Sequence, residues 1–151
     1  MGATTAFELR VVGGTVVSGH GREAVNLYAT GGRVALVDGA IHPARSTVEA
    51  TDLLVMPGMV DTHVHLMDPG DTSREDFPTG SRAAAAAGVT TIIEHTHGHP
   101  IRSVTDLAEK LAHLRDRSAV DVGLAAHVWP DRLGELRGLW EAGVAFFKIF
   151  T

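Results

Sequence analysis

The chain has 151 residues, of which 44% are hydrophobic and 21% charged, the balance of an ordinary soluble globular protein. Its formal net charge is −5 and no basic run is present, so neither a nucleic-acid-binding nor an anionic-membrane-binding surface is expected. Cysteine is absent, which excludes disulfides, thiolate nucleophiles and thiolate metal sites. Residues 1–12 lack the basic and apolar blocks of a signal peptide, so we predict a cytoplasmic protein.

Short β-type runs separated by glycine fill the chain up to residue 55. Strands are predicted over residues 9–12, 15–17, 24–28, 33–37 and 53–55. The Gly31-Gly32 and Asp38-Gly39 pairs predict hairpin turns between strands. The pattern therefore predicts a small antiparallel sheet.

From residue 56 onward, strand patterns alternate with helix patterns. Strands are predicted over residues 60–66, 89–93, 120–128 and 144–150. Three helices are predicted between them: one capped by Ser73 or Asp76 and ended by Gly88, one capped by Thr105 with Leu107, Leu111 and Leu114 on its apolar face, and one opened by Pro130 with Leu133, Leu136 and Trp140 on its apolar face. This alternation predicts an α/β fold with a parallel sheet, in which ligands bind at the carboxyl ends of the strands.

The first candidate site is the run Asp61-Thr62-His63-Val64-His65 in the first of these strands. Because side chains alternate along a strand, Asp61, His63 and His65 are expected on one face. Two imidazoles about 7 Å apart along a strand can reach one divalent cation, with Asp61 as an outer partner of these ligands. The alternative is a pair of polar residues on a solvated face, which a strand covered on both sides disfavours. The run therefore predicts a metal site.

The second candidate is Lys148, which stands in an otherwise apolar strand over residues 144–150. A charged and unpaired lysine inside a sheet carries a large desolvation cost. Lys148 therefore either extends its amine to the rim of the sheet or loses its proton and takes part in chemistry. The strand alone leaves both interpretations open.

Further histidines follow the second and third of these strands. His95, His97 and His99 lie in a glycine-containing loop and are candidates for an extra metal ligand, for substrate contacts, or for exposed loop residues. His127 lies near a strand end and is predicted to be a hydrogen-bonded interior residue. The other three histidines are predicted to be peripheral: His20, His42 and His113.

Three segments carry a family resemblance. Residues 55–66, Val-Met-Pro-Gly-Met-Val-Asp-Thr-His-Val-His-Leu, resemble the segment that opens the barrel of the amidohydrolase superfamily. The following residues resemble the cyclic amidohydrolases (allantoinase, dihydroorotase, dihydropyrimidinase and hydantoinase) at Asp68-Pro69-Gly70, Thr72, 75–77, Thr79-Gly80, 83–85 and 88–91. Residues 143–148 resemble the fourth-strand segment of the same group. The segments occur in the order and spacing of that family and span nearly the whole chain.

The resemblance implies a fold and a chemistry. It implies a (β/α)₈ TIM-type barrel whose N-terminal half lies in residues 56–151, preceded by strands of a small β-sandwich in residues 1–55. It implies two divalent metal ions, usually zinc, with His63 and His65 as ligands and with Lys148, carboxylated by CO₂, as the bridge. The bridging water would become a metal-activated hydroxide that opens a cyclic amide such as a ureide, hydantoin or dihydropyrimidine ring. Dimers and tetramers are common in the family, so a homo-oligomer is expected.

Two departures from the family pattern bear on the substrate. Dihydroorotases carry an arginine directly after the paired histidines and their leucine, where this chain has Met67. An arginine would bind a substrate carboxylate through two hydrogen bonds, so an allantoinase-like activity is favoured over a dihydroorotase-like one. Residues 94–99 replace a Met-Pro-Asn-type segment of many relatives, which leaves the substrate preference open.

Length is the larger departure. A complete (β/α)₈ barrel takes about 250 residues, whereas residues 56–151 provide four predicted strands and three predicted helices. We therefore expect the N-terminal part of an enzyme, incomplete as a catalytic unit because the later metal ligands of the family are missing. Two alternatives stay open: a non-catalytic amidohydrolase-like scaffold, and a half-barrel that needs a partner chain.

Overall fold

The computed structural model describes residues 6–95 and 97–150, and the chain divides into two compact units between Pro57 and Gly58. Residues 1–5, on which the signal-peptide prediction partly depends, lie outside the described residues. In the described ranges, no helix is long and apolar enough to cross a membrane.

The N-terminal unit consists of β-strands. Its described strands are β1 (Phe7–Val12), β2 (Thr15–Ser18), β3 (Gly21–Glu23), β4 (Asn26–Thr30), β5 (Arg33–Asp38), β6 (Ala44–Glu49) and β7 (Leu54–Val55). One sheet has the order β5-β4-β1-β6 and the other the order β3-β2-β7. Because β1 pairs with β6 and β2 pairs with β7 in parallel, the prediction of an antiparallel sheet is wrong and the sheets are mixed.

The two predicted hairpin turns have different outcomes. Gly31 and Gly32 connect the antiparallel strands β4 and β5, and both have the positive φ that such a turn requires. At Asp38-Gly39 the chain leaves β5 and crosses to the opposite edge of the sheet, where β6 pairs with β1. The second hairpin is therefore wrong, because a long-range parallel pairing replaces a local one.

The C-terminal unit alternates strands and helices. Its elements are β8 (Met59–Val64), α1 (Phe77–Ala86), β9 (Val89–Glu94), α2 (Val104–Leu114), β10 (Asp121–His127), a 3-10 helix (Pro130–Glu135), α3 (Leu136–Glu141) and β11 (Phe146–Lys148). The strands form one sheet in the order β11-β10-β9-β8, and all neighbouring pairs are parallel. This agrees with the predicted α/β fold, and successive parallel βα units in sequential order are the arrangement of part of a TIM-type barrel.

Side-chain caps mark where α1 and α2 begin. Asp76 caps α1 by accepting a hydrogen bond from the Thr79 backbone N–H at 2.8 Å. Ser103, not the predicted Thr105, caps α2, because its hydroxyl accepts from the Asp106 backbone N–H at 3.1 Å. Gly88 follows α1 with a φ of 83°, so the predicted end of that helix is confirmed.

The apolar face predicted for the third helix is wrong. The backbone at Arg132 is non-helical, with φ −126° and ψ 19°, and this break separates the 3-10 helix from α3. Leu139 is the fully buried side chain of α3, whereas Leu133 is 57% and Trp140 61% exposed. The core of the unit contains these residues: Leu66, Phe77, Val89, Ile92, Ile101, Leu107, Leu114, Leu124, Ala126, Leu139 and Val144.

Candidate metal centre

The run that contains the paired histidines lies at the end of β8, where the strand is irregular. Its pairing with β9 shifts register between Asp61 and Val64, and β8 ends at Val64, one residue before His65. The Asp61 carboxylate accepts a hydrogen bond from the backbone N–H of His63 at 3.0 Å. Simple strand alternation, from which the sequence predicted a common face, is therefore interrupted here, and such irregularities are common beside active sites.

The two imidazoles nevertheless converge. His63 Nε2 and His65 Nε2 are 3.2 Å apart, and the ring centroids are separated by 5.0 Å. His65 Nδ1 lies 2.5 Å from the backbone carbonyl oxygen of His95, so Nδ1 carries the hydrogen and donates it. The lone pair of neutral His65 is then at Nε2, on the side that faces His63.

Lys148 reaches the same point from the end of β11. Its Nζ lies 3.3 Å from His63 Nε2 and 5.4 Å from the centre of the Phe150 ring. Parallel pairing brings the carboxyl ends of all four strands to one edge of the sheet, which is why residues 85 positions apart meet there.

The spacing of the two histidines fits a divalent cation. Zinc binds imidazole nitrogen at about 2.0–2.1 Å with tetrahedral geometry, which places two nitrogen ligands about 3.3 Å apart. The 3.2 Å between the Nε2 atoms of His63 and His65 agrees with that separation. Across residues 6–95 and 97–150, no group of three or more His, Asp or Glu side chains is arranged to bind a metal. The additional nitrogen beside the pair is Lys148 Nζ, 3.3 Å from His63 Nε2, and an amine can bind a metal only after it loses its positive charge.

His95 and His97 lie beside the pair and contact it through their rings. His95 is 2% exposed, its Nε2 lies 2.9 Å from the Thr62 carbonyl oxygen, and its ring stacks on His63 with centroids 4.4 Å apart. Burial lowers the pKa of His95. His97 is exposed and its ring meets that of His65 at a centroid distance of 4.1 Å. Their use as a ligand or substrate contact stays a prediction.

The third residue of that loop, His99, points elsewhere. It is exposed and lines a cavity of about 230 Å³ together with Arg102, Asp106 and Glu109. A role for His99 in metal or substrate binding also stays a prediction.

His127 is an interior residue, as predicted, but its Nε2 has no hydrogen-bond partner in the described part of the chain. Its position on β10 is in register with Lys148 on β11, and its ring lies 5.1 Å from that of Phe150. Burial lowers the pKa of His127 to about 4, so the ring is neutral near pH 7. The predicted hydrogen bond is therefore not made at Nε2.

The sequence analysis missed a partly buried group of ionisable side chains beside this centre, here called the Asp68 cluster. Its members are Asp68, Glu94, Lys110, His113 and Arg117. The Asp68 carboxylate lies 2.5 Å from His113 Nε2 and 2.7 Å from Arg117 Nη2. Lys110 Nζ donates to the Asp68 backbone carbonyl and lies 3.4 Å from Glu94 Oε2. His113, predicted to be peripheral, has a side chain that is 34% exposed and also contacts the buried Asp68 carboxylate.

A sequence signal for this cluster exists. Lys110 lies three residues after Leu107 and four before Leu114, on the helical face that α2 buries. The predicted face used Leu111 instead, which is 50% exposed. A lysine on an apolar helical stripe indicates a buried ion pair, and the acidic partner then has to come from another element.

Acid is expected to destabilise the protein through Asp68. Burial acts to raise the pKa of Asp68, but hydrogen bonds from Arg117, the Phe77 backbone and His113 outweigh it and lower the pKa to about 2. A carboxyl group whose pKa is lowered by folding stabilises the fold at any pH above the pKa that the group has in the unfolded chain. This stabilisation is lost as the pH falls toward the folded-state pKa of about 2. We expect a loss of about 2 kcal/mol in the free energy of unfolding between about pH 4 and pH 2.

Denaturant unfolding of the wild type and of Asp68→Asn across this pH range measures that contribution. The variant should lack this part of the acid dependence, whereas Asp131→Asn, whose side chain is 79% exposed, should keep it. An Asp68→Asn protein with the wild-type acid dependence would contradict the assignment.

The chain is similar to known proteins along almost its whole length. Residues 54–127 match the Amidohydrolase family. The chain is 38% identical over 149 residues to the allantoinase of Rubrobacter xylanophilus and 33% identical over 148 residues to that of Salmonella gallinarum. Each alignment covers 97% of this chain and 33% of the relative, so the chain spans about a third of the length of these curated relatives.

Solved structures give a similar result. An L-hydantoinase (dihydropyrimidinase) from Arthrobacter aurescens superposes with a TM-score of 0.85 and 32% identity over 93% of this chain and 32% of its own. A D-hydantoinase structure superposes with a TM-score of 0.81 and 28% identity over 95% of this chain and 33% of its own. The fold of the described residues is therefore that of the corresponding third of these enzymes.

Proposed function

The chain belongs to the amidohydrolase family, and we propose that the full-length protein hydrolyses the C–N bond of a cyclic amide: a ureide, hydantoin or dihydropyrimidine ring. The observation that carries this proposal is the convergence of three nitrogen atoms at the carboxyl ends of the strands. His63 Nε2 lies 3.2 Å from His65 Nε2 and 3.3 Å from Lys148 Nζ. Relatives named allantoinase and hydantoinase act on such rings, which supports this class of substrate.

We propose that His63 and His65 bind one of two divalent metal ions and that Lys148 links the two. Because imidazole nitrogen is a common ligand of zinc, we propose that the ions are zinc. When bound, the ions would lower the pKa of a bound water molecule and polarise the amide carbonyl. For its part, Lys148 Nζ would add to the carbon of CO₂ and release a proton, which gives a carbamate. This replaces a cation 3.3 Å from His63 by an anion, and so removes the repulsion that an ammonium group would exert on a metal at this point.

The remaining residues of the proposed centre would orient these donors. His65 donates its Nδ1–H to the His95 carbonyl, which keeps its Nε2 lone pair directed toward His63. Asp61 would act on the backbone of His63, through the 3.0 Å hydrogen bond to its N–H, and so as an outer partner of the ligand. A domain organisation of β-sandwich strands in residues 1–55 and four barrel strands in residues 56–151 is part of this proposal.

Met67 supports a neutral ring over an anionic one. It directly follows Leu66, where the resemblance implies that dihydroorotases carry an arginine, a residue able to bind a substrate carboxylate through two hydrogen bonds. We therefore propose an allantoinase-like substrate, with turnover of dihydroorotate lower by about 100-fold, the value of a lost charge-assisted contact of roughly 3 kcal/mol.

The test is a ring-opening assay on the zinc-loaded full-length protein with allantoin, hydantoin, dihydrouracil and dihydroorotate, followed by ¹³C NMR of the ring carbons. We expect one of the first three rings to open and dihydroorotate to be the poorest substrate. Preferred opening of dihydroorotate would overturn the substrate assignment. A protein that binds metal at neither His63 nor His65 and opens no ring would overturn the proposed function in favour of a scaffold.

A further inference from the structure

The Asp68 cluster is buried where it approaches the candidate metal centre. Asp68 is 1%, Glu94 0% and Lys110 4% exposed. The side chains of His113 and Arg117 are 34% and 37% exposed, so the cluster extends from the surface to the end of β9. Burial of a lysine is costly unless it is paired, and the Glu94 carboxylate and the Asp68 carbonyl provide that pairing here.

Lys110 thereby contacts two segments that are both close to His65, one in sequence and the other through a hydrogen bond. One contact is to the backbone carbonyl of Asp68, three residues after His65. The other is to Glu94, which directly precedes His95 in the chain. The His95 carbonyl is the group that accepts the Nδ1–H of His65 at 2.5 Å.

His95 itself cannot shift without disturbing the rest of the centre. Its ring is stacked on His63 with an interplanar angle of 6°, and its Nε2 lies 2.9 Å from the carbonyl oxygen of Thr62. A movement of the Glu94–His95 backbone would therefore change both the acceptor of His65 and the face against which His63 packs.

We propose that Lys110 is a positioning residue for His65. By linking Asp68 to Glu94 it keeps the His95 carbonyl against His65 Nδ1, and this contact fixes the Nδ1–H form of the ring with the Nε2 lone pair toward His63. The inference rests on the proposed function, because it assigns His65 as a metal ligand. Removal of a hydrogen bond that orients a metal-binding histidine weakens metal affinity by about 10- to 100-fold.

The first experiment uses Lys110→Met in the full-length protein. Zinc affinity is measured by competition with a chromophoric chelator, and the ring form of His65 is read in the metal-free protein from long-range ¹H–¹⁵N NMR of its imidazole nitrogens. We expect zinc binding weaker by about 10- to 100-fold, and the appearance of an Nε2–H population of His65. The NMR measurement does not depend on metal or activity.

Two comparisons separate positioning from loss of stability. Leu107→Ala truncates an apolar core side chain that is 3% exposed and lies one helical turn before Lys110. It should lower Tm and leave both zinc affinity and the ring form of His65 unchanged. Glu94→Gln combined with Lys110→Met also replaces the buried carboxylate that Lys110 neutralises by an amide, so it should regain Tm relative to Lys110→Met yet keep the weak zinc binding.

The results that would overturn the inference are specific. Lys110→Met with wild-type zinc affinity and only the Nδ1–H form of His65 would do so, as would Leu107→Ala with an equal loss of affinity. If Lys110→Met does not fold, Glu94→Gln alone, which keeps a polar group of the same size, serves the same two measurements. A wild-type protein without zinc affinity would instead overturn the proposed function, and the inference with it.

Discussion

In the full-length protein, Lys148→Ala is expected to abolish binding of two metal ions and to lower kcat/KM for ring opening by about 10³-fold. The Nζ of Lys148 is the atom that approaches His63 Nε2, at 3.3 Å, and alanine leaves nothing at that position to carry a carbamate. Metal ions contribute several kcal/mol of charge stabilisation to a hydrolytic transition state, and each 1.4 kcal/mol or so is a factor of ten in rate.

Metal content by mass spectrometry, together with steady-state kinetics, checks this expectation. Arg137→Ala is the control, since its side chain is 88% exposed on α3 and the variant should behave as the wild type. Added acetate or propionate should restore part of the activity of Lys148→Ala, because a small carboxylate fits the space that the lysine vacates. Two bound metals and normal turnover in Lys148→Ala would show that this role of Lys148 is wrong.

His63→Ala is expected to weaken zinc binding by more than about 100-fold, beyond what the loss of a supporting hydrogen bond costs. His63 Nε2 lies 3.2 Å from His65 Nε2 and 3.3 Å from Lys148 Nζ, so its removal takes away the central one of three converging nitrogens. Competition with a chromophoric chelator at fixed pH measures the affinity.

His20→Ala is the matched control for this variant, because His20 is exposed in the turn between β2 and β3. It removes the same side chain from the same chain and should leave zinc affinity unchanged. An unchanged metal content in His63→Ala would contradict the assignment of the histidine pair.

The parallel sheet could be predicted because its signals are local. Residues 89–93 are a run of β-branched residues bounded by Gly88, and the structure has β9 at Val89–Glu94. The strand β6 was missed because its sequence, Ala-Arg-Ser-Thr-Val-Glu, is mostly polar and exposed. It forms through pairing with β1, more than 30 residues earlier, and no local pattern reports such a pairing.

The candidate site was predictable in its residues and not in its geometry. His63 and His65 were chosen from strand alternation, but they converge across an irregular strand end because His65 donates to the carbonyl of His95. That acceptor lies 30 residues away, directly after another strand, so the contact is a product of tertiary structure. Lys110 was missed because hydrophobic periodicity assigns a lysine to the surface of a helix. Here the ion pair with Glu94 makes its burial possible.

The order of strands in the C-terminal unit has a consequence for synthesis. Each of the strands β9, β10 and β11 pairs with the strand that immediately precedes it in the chain, so the sheet can grow one strand at a time as the ribosome extends the polypeptide. His63 and His65 are synthesised first, and the His95 carbonyl that accepts the hydrogen bond from His65 follows directly after β9. Of these residues Lys148 is synthesised last, and its strand β11 adds to the sheet after the strands that position the histidine pair.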